Sequence, residues 1–420
     1  MMVFKFGGAS VKDAEGIRNL SSIVRLYEKE QLIIVVSAMG KTTNALEKIC
    51  DAFYNRTGEA EKLLDELKYF HIKIASDLFS ADHFVFSELN DLFAELHWAI
   101  EEEQIKEYDY EYDQIISVGE LLSTKVVAAF LNQEGQAVTW IDARDMIRTD
   151  STFREGNVDW EITGRLVKNN LEPLFSKSTD AKIITQGFIG STSENFTTTL
   201  GREGSDYTAA ILAYCMDASE VFIWKDVAGV LNADPKMFPD AQLLPELSYY
   251  DAIELAYYGA TIIHPKTIKP LQNKCIPLRV KSFLFPNKEG TRISEDNLKQ
   301  VAPTYIFKTN QVLFSVSPRD FSFIIEENIR DIFEQIALWR IKVNLMQNSA
   351  LNFSVCVDNE AQRLPGLLAG LKSRFRVLYN EDCELITIHN YNESLVEKLI
   401  GGRNVLVEQR SRETIQLVIR

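Results

Sequence analysis

Six short runs of apolar, β-branched residues, at 2–6, 31–37, 137–141, 182–186, 220–224 and 276–281, are separated for the most part by amphipathic helical stretches. This alternation limits the fold more than any other feature of the chain. Strands that are apolar along their whole length are buried on both faces, and strands that return through a helix run parallel. The pattern therefore predicts an α/β fold with a largely parallel sheet covered by helices. Between residues 44 and 130 the pattern is mainly helical, with the acidic stretch Glu101-Glu102-Glu103 expected on a solvated face. Residues 1–298 read as one large α/β unit.

After Gly290-Thr291-Arg292-Ile293 the elements become short and change order. Val312–Ser317, Glu326–Trp339, Lys342–Met346 and Leu351–Val357 read as strand, helix, strand, strand. A second set begins at Glu384–His389, continues through a helix at Glu393–Ile400, and ends in Val405–Glu408 and Thr414–Ile419. Two βαββ copies predict paired ferredoxin-like modules within 299–420.

A chain of 420 residues has room for two or three domains, and its net charge of -15 disfavours binding to nucleic acid or to an anionic membrane. An anionic ligand must then be held by local positive groups. Cys50, Cys215, Cys275, Cys356 and Cys383 show no CxxC and no paired-histidine spacing, so reduced, mostly buried thiols are expected, with no zinc site and no disulfide framework. No wholly apolar run reaches about 18 residues and no leader pattern opens the chain. A cytoplasmic protein is expected.

The stretch Lys5-Phe6-Gly7-Gly8-Ala9-Ser10-Val11 follows directly on an apolar start. A buried strand delivers a lysine, two glycines let the backbone approach an anion, and Ser10 is placed to start a helix and offer a hydroxyl. It reads as a phosphate cradle or as a plain tight turn. It is not a P-loop, since Val35 stands where the first glycine before Gly40-Lys41-Thr42 would be, and GxGxxG is absent.

The segment 185–208 ends a buried strand, crosses a polar loop, and enters a helix at Gly204-Ser205-Asp206. It forms a second anion-binding concavity. Asp206 is placed to cap that helix, to hold magnesium, or to orient a lysine. Arg202 is either a solvated surface group or a fork for a carboxylate. Glu120, in Ser117-Val118-Gly119-Glu120, is either a first-turn helix acid or a partner for an ammonium group. Ser37 and Thr43 flank a loop at the end of a core strand, where α/β ligands sit.

Taken in order, KFGGASV at 5–11, VVSAMGKTTN at 35–44, SVGE at 117–120, TQGFIG at 185–190, TTTLGREGSDYTAA at 197–210, DVAGVLNADP at 226–235 and the HP pair at 264–265 resemble the aspartate kinases of the amino-acid kinase superfamily. The resemblance implies an αβα sandwich followed by two ACT modules. It places Lys5 and Asp206 on the catalytic lysine and aspartate, and Ser37, Thr43, Glu120, Phe188, Arg202 and Ser205 around an amino-acid substrate. Gly7, Gly8 and Ser10 would line phosphates, and Lys225, Asp226, Asp234 and Lys236 would belong to the nucleotide pocket. ATP with Mg²⁺ carried on its phosphates, L-aspartate, a homodimer through the ACT modules, and lysine or threonine as effector are implied. Asn344, Asn348 and Ser349 are candidates for the effector site. Because the chain ends at Arg420, a monofunctional enzyme is expected, without a fused homoserine dehydrogenase.

The chain departs from the family pattern at Ala9, where threonine is frequent, and at Glu203, where glycine is frequent. Lys225 stands where threonine is frequent, Leu231 where tyrosine is, Lys236 where arginine is, and Thr261 replaces a lysine that some members use near the nucleotide. In the ACT region, Glu326-Glu327-Asn328 occupy what is expected to be the loop before the first helix. Two other readings stay open on sequence: a non-catalytic amino-acid sensor on the same fold, and a kinase of another amino acid such as glutamate.

Overall fold

β1 (Met2–Phe6) sits at the middle of the main sheet, between two strands whose central residues are buried like its own. The structure is a computed structural model and describes residues 1–101, 106–260, 263–295, 302–320 and 322–420. It divides into two units: Met1–Val230 with Pro245–Ile253 and Ile262–Leu298, and Leu231–Leu244 with Glu254–Thr261 and Lys299–Arg420. The division is not a single cut in the chain. Thr261, Glu102 and Glu103 lie outside the described residues, while Glu101 is exposed as expected.

In the first unit β2 (Leu32–Val36), β3 (Val138–Trp140), β4 (Lys182–Gln186), β5 (Ile189–Ser191), β6 (Thr197–Thr199), β7 (Glu220–Lys225), β8 (Glu246–Ser248), β9 (Leu278–Ser282) and β10 (Thr291–Ser294) follow β1. The sheet order is β3-β4-β2-β1-β7-β9-β10-β8. From β3 to β9 all pairings are parallel; β10 joins β9 antiparallel and β8 joins β10 parallel. The six strands expected from the apolar runs are all present. The exceptions to the expectation are β8 and β10 at one edge, and the β5–β6 hairpin, which replaces the polar loop expected after residue 186. Its strands, Ile189-Gly190-Ser191 and Thr197-Thr198-Thr199, are only three residues long, so no apolar run announces them.

Side-chain alternation on β1 and β7 sorts structure from chemistry. Phe4, Phe6, Phe222 and Trp224 face one side and form an aromatic cluster, with Phe6 and Trp224 stacked at 6.0 Å. Lys5, on the other side, is paired in register with Ile223.

Helices α1 (Ala14–Arg25), α2 (Thr42–Tyr54), α3 (Ala60–Ser76), α4 (Val85–Glu101), α5 (Tyr108–Gln133), α6 (Trp160–Phe175), α7 (Gly204–Cys215), α8 (Tyr249–Tyr258) and α9 (Pro265–Asn273) connect the strands. Ser10 does not start the first of them: it lies in a 3₁₀ turn, Gly8–Val11, and α1 begins after Asp13, whose carboxylate accepts from the Gly16 N–H at 2.8 Å. α5 is long and apolar enough to cross a membrane by length and composition, but 89% of that stretch is buried inside the protein. It is a core helix.

In the second unit β11 (Thr304–Ser317), α10 (Glu326–Leu338), β12 (Val343–Asn348), β13 (Phe353–Asp358), α11 (Leu364–Arg374), β14 (Arg376–His389), α12 (Glu393–Ile400), β15 (Val405–Arg410) and β16 (Thr414–Ile419) build one antiparallel sheet, ordered β12-β13-β11-β14-β16-β15. The two expected modules therefore share a sheet. β11 and β14 are each 14 residues long and pair along both halves, with register shifts between Lys308 and Leu313. The second set does not begin at Glu384: β14 starts at Arg376, and α11 precedes it. α11 carries Pro365, Gly366 and Gly370, residues of low helix propensity, so there is little helical signal in the sequence there. A side chain at Gly366 would come within 2.2 Å of the Trp339 ring, so the glycine lets α11 lie against α10. Glu326-Glu327-Asn328 form the first turn of α10 rather than a loop, and the Asn328 side chain accepts from the Ile325 N–H.

Candidate active site

Four parallel strands, β1, β2, β4 and β7, end at the same edge of the sheet, where ligands of open α/β sheets bind. The loops that leave them are tied together by their backbones. Gly40 N–H donates to the Gly8 carbonyl at 2.9 Å, Ser37 N–H to Phe6 at 3.0 Å, and Gly187 N–H to Val36 at 3.1 Å. A side chain at Gly8 would stand 2.6 Å from the Ala38 carbonyl, and one at Gly187 would stand 2.4 Å from Ser205 Cβ. Only glycine admits such approaches.

Into this edge β1 sends Lys5 and the first turn of α7 sends Asp206. Lys5 Nζ lies 2.6 Å from Asp206 Oδ1, and Lys225 Nζ, at the end of β7, lies 3.6 Å from Asp206 Oδ2. Asp206 is only 3% exposed, and burial alone would raise its carboxyl; the two ammonium groups outweigh that and hold it below the ordinary carboxylate range. Asp206 is therefore not the helix cap. The residue before α7 is Glu203, which makes no side-chain capping bond and takes φ 53°, the left-handed region that favours glycine.

Glu120 is likewise not a first-turn acid, because α5 starts twelve residues upstream. Its side chain is buried near Lys5, accepts from the Ala38 N–H, and has its Oε2 without a hydrogen-bond partner among the described residues. Burial pushes its carboxyl up to about 8, against the pull of Lys5. Ser123, one turn on, donates to the Ser37 carbonyl at 2.7 Å, which docks α5 onto the β2 loop.

Phe188, at φ 74°, is half-buried beside Gly204, and its N–H donates to Thr208 Oγ1 at 3.0 Å. Ser205 is buried against Gly187. Thr43 is half-buried in the first turn of α2, and a Cβ at Gly7 would stand 3.5 Å from the Lys5 ammonium. Ser10 is buried in its 3₁₀ turn. Arg202 is exposed on the loop between β6 and α7, with no hydrogen bond or ion pair among the described residues. Asp226 is exposed just past β7.

Asp234 and Lys236 belong to the second unit, where Asp234 accepts from the Lys236 N–H at 2.9 Å. Of the effector candidates in that unit, Asn344 is buried and engaged by Lys308, Gln311 and Asp358 at 2.8–3.0 Å. Asn348 and Ser349 are exposed at the far end of β12. The structure does not gather the three into one cluster.

Asp113 was not singled out from sequence. It is buried on α5 and accepts from the Arg154 and Thr199 N–H groups and the Thr199 hydroxyl, at 2.7–2.9 Å. It thereby holds β6, and with it the start of the loop that carries Arg202. Nothing in the sequence marks it, since Asp109, Glu111 and Asp113 alternate with tyrosines on a helix and read as surface acids.

The pattern of the Amino acid kinase family matches residues 1–282. The chain belongs to this family. Among relatives of this amino acid kinase, the Arabidopsis thaliana chloroplastic bifunctional aspartokinase/homoserine dehydrogenase 1 is 31% identical over 385 residues, covering 89% of the chain and 42% of that protein. The chain thus spans about two-fifths of that relative's length. The Escherichia coli lysine-sensitive aspartokinase 3 is 29% identical over 402 residues, covering 92% of the chain and 86% of its own. The crystal structure of E. coli aspartokinase III with aspartate and ADP superimposes with a TM-score of 0.83 at 26% identity, covering the whole chain and 96% of that structure.

Proposed function

We propose that this amino acid kinase is an aspartate kinase: it transfers the γ-phosphoryl group of ATP to the side-chain carboxylate of L-aspartate. The product would be 4-phospho-L-aspartate, which opens lysine, threonine and methionine synthesis. The observation that carries the reading is the buried Lys5–Asp206 pair, 2.6 Å apart, at the mouth of two glycine loops. The likeness to aspartokinases over most of the chain supports it.

A carboxylate acceptor is already ionised at neutral pH and needs no general base. It needs charge relief and alignment against the incoming phosphoryl group. The ammonium of Lys5 and the backbone N–H groups of the Gly7-Gly8 loop supply fixed positive potential there. Asp206 holds Lys5 in place. Arg202, exposed and unpaired among the described residues, grips the substrate α-carboxylate, and Glu120 receives its α-ammonium. Ser37, Thr43, Phe188 and Ser205 then close around the amino acid, and Gly7, Gly8, Ser10, Lys225 and Asp226 serve the nucleotide.

Among the described residues no group of three or more His, Cys, Asp or Glu could hold a metal ion, and both Asp206 oxygens face ammonium groups. This donor set fits Mg²⁺ carried on the nucleotide phosphates, where it would spread the charge of the transferring group. In this reading residues 299–420 are ACT modules that pair two subunits and receive lysine or threonine, and the enzyme works in the cytoplasm. Aspartate-dependent release of ADP tests the assignment. The wild type turns over, and Lys5→Ala and Asp206→Ala lose turnover while remaining folded; near-normal turnover in either variant removes its role.

A further inference from the structure

α2 and α3 flank a cleft of about 730 Å³, a size at which small organic ligands bind. None of Lys5, Glu120, Arg202 or Asp206 lines it. Helical spacing makes its two walls unlike. On α3, Leu63, Leu67 and Phe70 stand at i, i+4 and i+7 and form an apolar stripe. Leu67 is buried, while Leu63 and Phe70 are half-buried and keep apolar surface open along the cleft. On α2, Lys41 at the N-cap position and Lys48 share one stripe with the small Ala45 between them. Lys12, at the end of the 3₁₀ turn before α1, adds a third lysine to the lining.

The charges around the cleft do not cancel. Lys12, Lys41 and Lys48 are exposed, and their ammonium groups make no hydrogen bond or ion pair among the described residues. Two acids also line the cleft, and both are engaged: Asp13 caps α1 through the Gly16 N–H, and Glu66 faces Lys62, outside the lining, at 3.9 Å. In a chain of net charge -15, three such lysines beside one apolar wall favour an anion.

The walls are held from behind. His71 is fully buried, and its Nδ1–H donates to the Leu67 carbonyl at 3.0 Å, which leaves Nε2 to accept from the Thr42 hydroxyl at 3.3 Å. Thr42 and Leu67 both line the cleft. Burial lowers the His71 imidazole to about 4, so it is neutral at neutral pH and adds no charge. A Cβ at Gly40 would stand 3.7 Å from Phe70 Cζ, so α3 packs against the loop ahead of α2.

We propose that this cleft binds a small amphipathic anion, with its acid head among Lys12, Lys41 and Lys48 and its apolar body on Leu63, Leu67 and Phe70. The site is separate from the phosphoryl-transfer residues, and it stands whichever amino acid the kinase phosphorylates. Gly40, which also lines the cleft, donates its N–H to Gly8, so an occupant rests against the loops that frame the candidate active site.

The probe is 1-naphthyl phosphate, titrated by calorimetry into the full chain with Mg-ADP kept saturating so that the glycine-loop site is filled. The wild type is expected to bind one molecule at least tenfold more tightly than inorganic phosphate, which lacks the body, or 1-naphthol, which lacks the head. Lys12→Glu and Lys48→Glu should each weaken binding about tenfold, the scale of one lost charge-assisted contact, and Phe70→Ser by a similar factor. Lys168→Glu makes the same charge change on α6, outside the lining, and is expected to leave binding within about twofold. Exposed lysines without partners carry little of the fold, so the lysine variants decide even where Phe70→Ser fails to fold. No binding of the probe to the wild type at millimolar concentration, equal affinity for the three compounds, or equal weakening by Lys48→Glu and Lys168→Glu overturns the proposal. The lysines would then only shield an apolar stripe with their stems.

Discussion

A side chain as deeply buried as Asp206 stays charged only where cations hold it, and its two lysines do so from opposite oxygens. Glu120 has the reverse balance: burial wins, and the carboxyl rises to about 8. At neutral pH most of the free protein then carries a neutral Glu120, while its proposed role toward the substrate ammonium requires the anion. The KM for aspartate is expected to fall roughly tenfold between about pH 7 and 9, as the ionised fraction rises. Glu120→Gln flattens that dependence; a wild-type KM without pH dependence would show that Glu120 does not receive the ammonium. The shift also bears on stability. The folded protein keeps a proton that the unfolded chain releases above about 4.5, so this contribution is full at low pH and is lost as pH rises toward about 8. Lys5, Asp206 and Glu120 were all legible in the sequence, because each stands in a motif with glycine or a strand end beside it. The state of Glu120 was not, since it depends on how deep α5 lies.

Local close approaches explain most of what the elements do. Gly119 faces the first turns of α2, where a Cβ would come within 2.8 Å of Leu46 and 2.9 Å of Thr42. Gly119→Val should lower stability by about 2–3 kcal/mol through overpacking and move Glu120 off its place, seen as a lower unfolding midpoint and a higher aspartate KM. Asp113 makes a separable case. Asp113→Asn keeps the shape but weakens the charge-assisted bonds to Thr199 and Arg154, and it should cost about 1–3 kcal/mol by chemical denaturation. The parallel strands were readable because their apolar runs are buried on both faces. The β5–β6 hairpin and α11 were not, because threonine, glycine and proline there serve pairing and close packing that only the folded neighbours reveal.

For the molecule as a whole, β12 is an edge strand of the second unit and carries the half-exposed Met346, with Leu351 just beyond it also exposed. An uncovered apolar edge is a pairing surface. The protein, 47.9 kDa as one chain, is expected to run as a dimer in light scattering, and Met346→Asp to shift it toward monomer; a wild type that stays monomeric at working concentration refutes the assembly. The shared six-stranded sheet was not legible, because the two long strands that unite the modules look like separate short ones when read along the chain. The kinase assignment itself is tested most directly by trapping the acyl phosphate. With purified protein, Mg-ATP and hydroxylamine, aspartyl hydroxamate should form from L-aspartate, not from L-glutamate, and vanish in Asp206→Ala. No hydroxamate from either amino acid in a folded protein would contradict the account and leave a regulatory, non-catalytic role for the fold.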